Sequence, residues 1–184
     1  MSSCIEDIKK LAEHVRSQAF VNEYHVDSEN VYLFGHSMGG NNAVNAGKEL
    51  PWLRGVILMA PYDSTCYIRK EEPERLRDLM NNGAKYLNCD GADALYDDIA
   101  KHMDDWNFVN AAEALKDQNV LMLSGAYDDV APEEDMVFPL WKQLEAQETG
   151  AVQRQLSYPA GHALMGCRIM VLKDLVRFLE DTLY

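Results

Sequence analysis

Residues 30–40 have the sequence Asn-Val-Tyr-Leu-Phe-Gly-His-Ser-Met-Gly-Gly. The first half is a continuous apolar run rich in β-branched and aromatic residues, which is typical of a strand buried on both faces. Residues 41–50 favour a helix, and Pro51 ends it. The stretch therefore predicts a buried strand, a sharp turn at Ser37 and a helix.

The turn has the pattern Gly-x-Ser-x-Gly, which is typical of a nucleophile held on a strained bend between a strand and a helix. Gly35 and Gly39 are expected to remove side-chain clashes across the bend, and Gly40 to let the helix pack closely. Ser37 would then lie at the positive end of the helix dipole, with the backbone N–H of Met38 as one donor to an oxyanion. A glycine-rich turn with an incidental serine is the alternative interpretation, and the strand and helix context disfavours it.

Three further apolar segments predict strands, at 55–60, 119–125 and 152–158. The last alternates polar with apolar residues, which places it nearer a sheet edge. Helical patterns separate the strands, so we expect the α/β class, with a mainly parallel sheet of about four strands and flanking helices. One amphipathic helix is predicted near the start, and another closes the chain with its apolar face formed by Ile169, Leu172, Leu175, Val176, Leu179 and Leu183.

The length of 184 residues predicts one domain, 1–184. Residues 63–118, the cap insertion, are acidic and helix-prone, so we expect a helical cap between the second and third strands. The insertion carries aromatic residues that either form its own core or line an apolar acyl pocket: Tyr67, Tyr86, Tyr96, Trp106 and Phe108.

The net charge of −13 argues against nucleic-acid and anionic membrane partners, because both require clustered Lys and Arg. The four cysteines are scattered, which predicts free thiols in a reducing cytoplasm. No secretory leader is evident at the start. The sequence has neither a metal-ligand spacing nor a phosphate-binding glycine loop, so we predict no metal site and no cofactor.

A serine hydroxyl needs a base to take its proton and a carboxylate to orient that base. His162 follows the fourth predicted strand, whereas the other four histidines lie before the turn, within it or in the cap insertion. Asp128 follows the third strand and is the favoured acid. Asp129, its neighbour, and Asp63, after the second strand, are alternatives. All lie where parallel strands gather an active site.

These motifs, taken together and in this order, resemble those of the α/β-hydrolase superfamily over nearly the whole chain. The turn resembles the family's nucleophile elbow, residues 125–132 resemble its acid loop, and Gly161-His162 resembles its histidine loop. Residues 6–8 and 31–35 most resemble the feruloyl-esterase-like and prolyl-oligopeptidase-like branches. The resemblance implies catalysis by Ser37, Asp128 and His162 through an acyl-enzyme.

The chain departs from the family before the elbow, where the family has about four strands and a loop that supplies a second oxyanion donor. This chain has only helical sequence there, so the elbow strand should be an exposed apolar edge. We expect Met1 to lie inside a longer protein; a naturally short member that needs a partner chain, or associates through this edge, is the alternative. With the Met38 N–H as the one oxyanion donor, the 184-residue chain alone should catalyse the reaction slowly.

The sequence therefore predicts a serine hydrolase that cleaves carboxylic esters of small or medium acyl groups. A prolyl-oligopeptidase-like peptidase, acting on a peptide substrate, is the second hypothesis because the same three residues would serve it. An inactive hydrolase-fold fragment or binding module is the third.

Overall fold

The computed structural model describes residues 1–183 and contains one parallel sheet of four strands in the order β1-β2-β3-β4. The strands are β1 (Tyr32–His36), β2 (Gly55–Met59), β3 (Asn119–Gly125) and β4 (Gln153–Tyr158). The predicted α/β class with about four parallel strands is confirmed. The register aligns His36 with Met59, Met59 with Leu123 and Leu123 with Leu156, so the carboxyl ends of all four strands meet at one edge.

Ten α-helices and one short 3-10 helix connect and cover the described strands. They are α1 (Ser2–Arg16), α2 (Gln18–Tyr24), α3 (Met38–Gly47), α4 (Cys66–Arg69), α5 (Pro73–Gly83), the 3-10 helix (Ala84–Tyr86), α6 (Ala92–Lys101), α7 (Phe108–Leu115), α8 (Glu133–Met136), α9 (Phe138–Glu145) and α10 (Arg168–Leu183). The predicted single helix near the start is two helices. Ser17 separates them, and its hydroxyl caps α2 by accepting a hydrogen bond from the Phe20 N–H at 3.3 Å.

The two faces of the sheet support separate apolar cores. Val56 and Leu58 of β2 pack on one face with residues of α1, α3, α7 and α9. Ile57, between them, points to the other face and packs with Phe178 of α10. This alternation follows from the two-residue period of a strand, and it gives three layers with the sheet in the middle.

β1 and β4 are the two edges of the described sheet. β4 lies at the edge, as its alternating sequence predicted. β1 pairs with β2 alone, so it is an edge strand. The prediction that β1 is buried on both faces is wrong, because Phe34 is 52% exposed. The predicted exposed apolar edge is therefore observed at β1.

The apolar face predicted for the last helix is partly wrong. Ile169, Leu172, Val176 and Leu183 are exposed, whereas Leu175 and Leu179 are partly buried against the sheet. The buried positions of α10 are Val171, Phe178 and Thr182. The helix carries two apolar stripes, and the sheet covers the one that contains Phe178.

The cap insertion contains four α-helices and the 3-10 helix, with no strand among its residues. Its last helix, α7, lies against α3 and α9, whereas α5 and α6 pack against each other. The division of the chain into one domain with a cap stays a prediction.

All four cysteines are free thiols; Cys4 and Cys89 are exposed, and Cys66 and Cys167 are buried. Burial raises the pKa of Cys66 to about 11, which keeps that thiol protonated and unreactive at neutral pH. Over residues 1–183, no helix combines the length and apolar character needed to cross a bilayer.

Gly125 is expected to allow the close backbone approach between the chain segments that follow β3 and β4. A Cβ there would lie 2.4 Å from the Ala160 carbonyl oxygen and 2.8 Å from that of Gly161, and both are backbone atoms. Gly125→Ala should lower the free energy of unfolding by about 1–3 kcal/mol, measured by urea denaturation. Gly150→Ala is the matched control, because a Cβ at Gly150 meets nothing within 4 Å. Equal stability of the two variants would contradict the close approach.

Candidate active site

Ser37 lies between the last residue of β1 and the first residue of α3, with φ 55° and ψ −119°. Few residues other than glycine adopt a positive φ, so surrounding contacts must hold this one in place. The Ser37 N–H donates to the Met59 carbonyl at 3.0 Å. The Ser37 carbonyl accepts hydrogen bonds from the N–H groups of Gly40, Asn41 and Tyr62 at 2.9–3.2 Å. The strained turn predicted from the sequence is present.

The glycines of the turn serve different purposes. A Cβ on Gly35 would lie 2.1 Å from the Gly39 carbonyl oxygen, so the turn can close only if residue 35 is glycine. A Cβ on Gly40 would lie 2.8 Å from Pro61, which shows the close helix packing that was expected. The expectation for Gly39 itself is wrong, because a Cβ there meets nothing within 4 Å. Its backbone, rather than its missing side chain, makes the close contact.

His162 connects Ser37 to Asp128. The His162 Nε2 lies 2.8 Å from the Ser37 Oγ, and its Nδ1 lies 2.8 Å from the Asp128 Oδ2. The Asp128 side chain is fully buried, and its Oδ1 accepts N–H groups of Val130 and Ala131 at 2.9 and 2.8 Å. Those two bonds orient the carboxylate and leave Oδ2 for the histidine. The structure thus brings together the three residues that the sequence favoured.

The two alternative acids lie elsewhere. Asp63 is buried, and it pairs with Arg69 at 2.6 Å and accepts hydrogen bonds from the N–H and hydroxyl of Thr65. Asp129 is exposed and makes no hydrogen bond to His162. The sequence favoured Asp128 but left Asp129 and Asp63 as alternatives, because the differences in burial and partners among these aspartates arise only in the folded chain.

His36 has a contact that the sequence analysis did not identify. Its Nε2 lies 3.0 Å from the His162 carbonyl oxygen, and the two imidazole rings are 5.0 Å apart. When Nε2 carries the proton, His36 donates to that carbonyl and holds the His162 loop against the end of β1. The signal available in the sequence was its position as the last residue of the strand, next to the turn.

An apolar cavity of about 410 Å³ opens beside Ser37. Ser37, Tyr62 and Ser64 lie among its polar lining, and its apolar walls include Met38, Leu79, Met80, Ala84, Leu87 and Leu95. Of the five aromatic residues proposed for an acyl pocket, Tyr86 lines this cavity, whereas Trp106 and Phe108 are buried in the core. Helix α5 and the segment after it therefore form one wall of the space next to the serine.

No family model matches the chain. A protein of Acanthamoeba polyphaga mimivirus named as an alpha/beta hydrolase is 35% identical over 48 residues, which is 26% of this chain and 18% of the viral protein. Several solved structures resemble the fold over nearly the whole chain. The Pyrococcus furiosus esterase has a TM-score of 0.63 and 16% identity over 96% of this chain. A monoacylglycerol lipase of Paleococcus ferrophilus has a TM-score of 0.59 and 17% identity over 97%.

This chain has the α/β-hydrolase fold. A puromycin hydrolase also shares it, with a TM-score of 0.68 and 15% identity over 97% of this chain. The chain spans 60% of the length of the Pyrococcus esterase, 76% of the lipase and 25% of the puromycin hydrolase. At these identities the likeness establishes the fold alone.

The different surroundings of Asp63 and Asp128 lead to a prediction. Asp128→Asn should reduce the rate at which a fluorophosphonate probe labels Ser37 by at least about a hundredfold, because the histidine loses its orienting carboxylate. Asp63→Asn should leave the labelling rate of folded protein within about twofold, while lowering the free energy of unfolding by about 1–3 kcal/mol. Mass spectrometry of the labelled serine and urea denaturation give the two readouts. A labelling loss confined to Asp63→Asn would assign the acid to Asp63 instead.

Proposed function

We propose that this chain is a serine hydrolase that cleaves carboxylic esters through Ser37, His162 and Asp128. The observation that carries the proposal is the continuous hydrogen-bonded chain from the Ser37 Oγ to the buried Asp128 carboxylate, with both links at 2.8 Å. A buried carboxylate, an imidazole and a hydroxyl in this order form a geometry suited to activating an oxygen nucleophile.

The geometry supports a separate role for each group in the proposed reaction. With Nδ1 protonated, His162 donates to Asp128 and accepts the Ser37 hydroxyl proton at Nε2. The Ser37 Oγ then attacks the ester carbonyl carbon, and His162 returns the proton to the departing alkoxide, which leaves as an alcohol. Water releases the acid by the same two proton transfers, with His162 again acting first as base.

The oxyanion of the intermediate would be bound at the start of α3. Met38 is the first residue of that helix, where a backbone N–H has no acceptor within the helix, and the helix dipole adds to its effect. One such donor contributes about 3 kcal/mol to transition-state stabilisation. With Met38 as the single donor, turnover by these 184 residues should be slow.

The apolar cavity supports an ester with an apolar acyl group. Ser37 and Met38 line this cavity, and aliphatic residues such as Met80 and Leu95 form other parts of its wall. An acyl chain entering this space would leave water for an apolar surface, so each added methylene should contribute about 0.8 kcal/mol until the cavity is full. A volume of about 410 Å³ suits small or medium acyl groups.

Peptide hydrolysis is the second candidate, because the same three side chains can cleave an amide. We further propose that the chain belongs to the feruloyl-esterase-like or prolyl-oligopeptidase-like branch and that copies of it associate through the β1 edge. An inactive binding module is the third candidate, and it requires that Ser37 not react.

Probe labelling and a pair of matched substrates test the proposal. Wild-type protein should be labelled by a fluorophosphonate at Ser37, and Ser37→Ala should not be labelled. The protein should hydrolyse p-nitrophenyl butyrate faster than the corresponding p-nitroanilide, because the ester has the better leaving group, and Ser37→Ala should reduce that activity at least about a thousandfold. Faster cleavage of a peptide anilide would favour the peptidase. If the folded wild-type protein is not labelled, both enzymatic candidates are excluded and the inactive binding module remains.

Acyl-chain length gives a separate prediction. kcat/KM for p-nitrophenyl octanoate should exceed that for the acetate by at least about tenfold, since each buried methylene contributes about fourfold. Gly83 lines the cavity at φ −87°, and a Cβ there meets nothing within 4 Å. Gly83→Leu should therefore fit and should lower the octanoate rate selectively.

The control for Gly83→Leu is Gly150→Leu, which adds the same side chain away from the cavity. A Cβ at Gly150 also meets nothing within 4 Å. Gly150→Leu should leave both rates unchanged. Loss of both the acetate and octanoate rates in Gly83→Leu would show that the substitution acts on the fold rather than on the acyl group.

A further inference from the structure

The main chain of His162, the proposed base, is held by very few hydrogen bonds. Its loop is joined to the acid loop through the Ala160 carbonyl, which accepts the N–H of Tyr127 at 3.0 Å. Within residues 1–183, the His162 carbonyl itself has one hydrogen-bonding partner, the His36 Nε2 at 3.0 Å. A side chain at the end of β1 therefore provides the one hydrogen bond that reaches the backbone of the base directly.

The distance between these two atoms determines the tautomer of His36. An unprotonated Nε2 would face the carbonyl oxygen lone pair to lone pair, which is repulsive at 3.0 Å. The Nε2 therefore carries a proton and donates it to the His162 carbonyl. It follows that a side chain with an N–H donor at this point would preserve the contact, whereas an apolar side chain would lose it.

Packing around the loop does not replace this hydrogen bond. A cavity of about 400 Å³ is lined by His36 and by Ala163 and Leu164, the two residues that follow the base. Leu164 has φ 49°, an unfavourable backbone conformation for a residue other than glycine. A strained turn beside a cavity can relax by a small shift of the chain, so the position of His162 depends on its polar anchor.

We propose that His36 is a positioning residue for the hydrolase reaction, and that its Nε2–H keeps the His162 imidazole in place by holding the His162 carbonyl. The inference rests on the proposed function, because it takes His162 as the base. The imidazole makes two hydrogen bonds of 2.8 Å, to Ser37 and Asp128, so a shift of the loop lengthens at least one of them. A misplacement of about 1 Å can cost about a hundredfold in rate.

Two substitutions of His36 test this inference through the rate at which a fluorophosphonate labels Ser37. His36→Leu removes the donor and should lower that rate by about tenfold to a hundredfold. His36→Gln places an amide N–H the same number of bonds from Cα as Nε2, so it should recover the rate to within about threefold of wild type. With p-nitrophenyl butyrate, the loss in His36→Leu should appear in kcat rather than in KM, since His36 does not line the cavity beside Ser37.

His102→Leu is the matched control. The His102 Nδ1 lies 2.7 Å from the Asp98 carbonyl oxygen, so this variant also loses a contact between an imidazole and a main-chain carbonyl, but within the cap insertion. It should leave the labelling rate of the folded protein unchanged, with the folded fraction of each variant measured by urea denaturation. Wild-type labelling of His36→Leu, equal losses in His36→Leu and His36→Gln, or a matching loss in His102→Leu would overturn the proposal.

Proton NMR separates this inference from the proposed function, because it requires no turnover. The proton between the His162 Nδ1 and Asp128 should give a downfield resonance, which Asp128→Asn removes and thereby assigns. In the Ser37→Ala background, His36→Leu should broaden this resonance or move it upfield, and His36→Gln should retain it. If wild-type Ser37 is not labelled but the NMR difference is present, the catalytic proposal alone fails. If Ser37 is labelled and His36→Leu leaves the resonance unchanged, the positioning role of His36 fails.

Discussion

The backbone at Ser37 is the constraint on which the rest of the site depends. A residue other than glycine with φ 55° is unfavourable, and four backbone hydrogen bonds hold it, one through its N–H and three through its carbonyl. The contact between Gly35 and the carbonyl of Gly39 closes the turn, and a single methyl group on Gly35 would prevent it. The main chain therefore fixes the point from which the Ser37 side chain extends toward His162.

The remaining reactive groups converge because the parallel strands end in register. The acid loop follows β3 and the histidine loop follows β4, and they approach so closely at Gly125 that no side chain fits there. The N–H groups of Ala126 and Tyr127 donate to the carbonyls of Tyr158 and Ala160, which joins the two loops. Asp128 and His162 are thus positioned by two loops that are hydrogen-bonded to each other, and their relative orientation depends on the sheet edge from which both loops start.

Residues of the cap insertion form much of the wall of the cavity beside Ser37. Helix α5 supplies Leu79, Met80 and Asn82 to this cavity. Most buried aromatic residues of the insertion, such as Trp106 and Phe108, support this arrangement from within the core.

The sequence by itself determined the four strands along the chain, the turn at Ser37 and the candidate residues, because apolar periodicity and the glycine spacing are local properties. Strand bounds agree within about two residues, and β3 matches at both ends. The covered face of α10 was not predictable, since that helix has two apolar stripes. Only the tertiary structure decided among Asp128, Asp63 and Asp129, and only it created the cavity beside Ser37. The choice of acid depends on which side chain lies next to each carboxylate in the folded chain. Arg69 pairs with Asp63, whereas His162 pairs with Asp128.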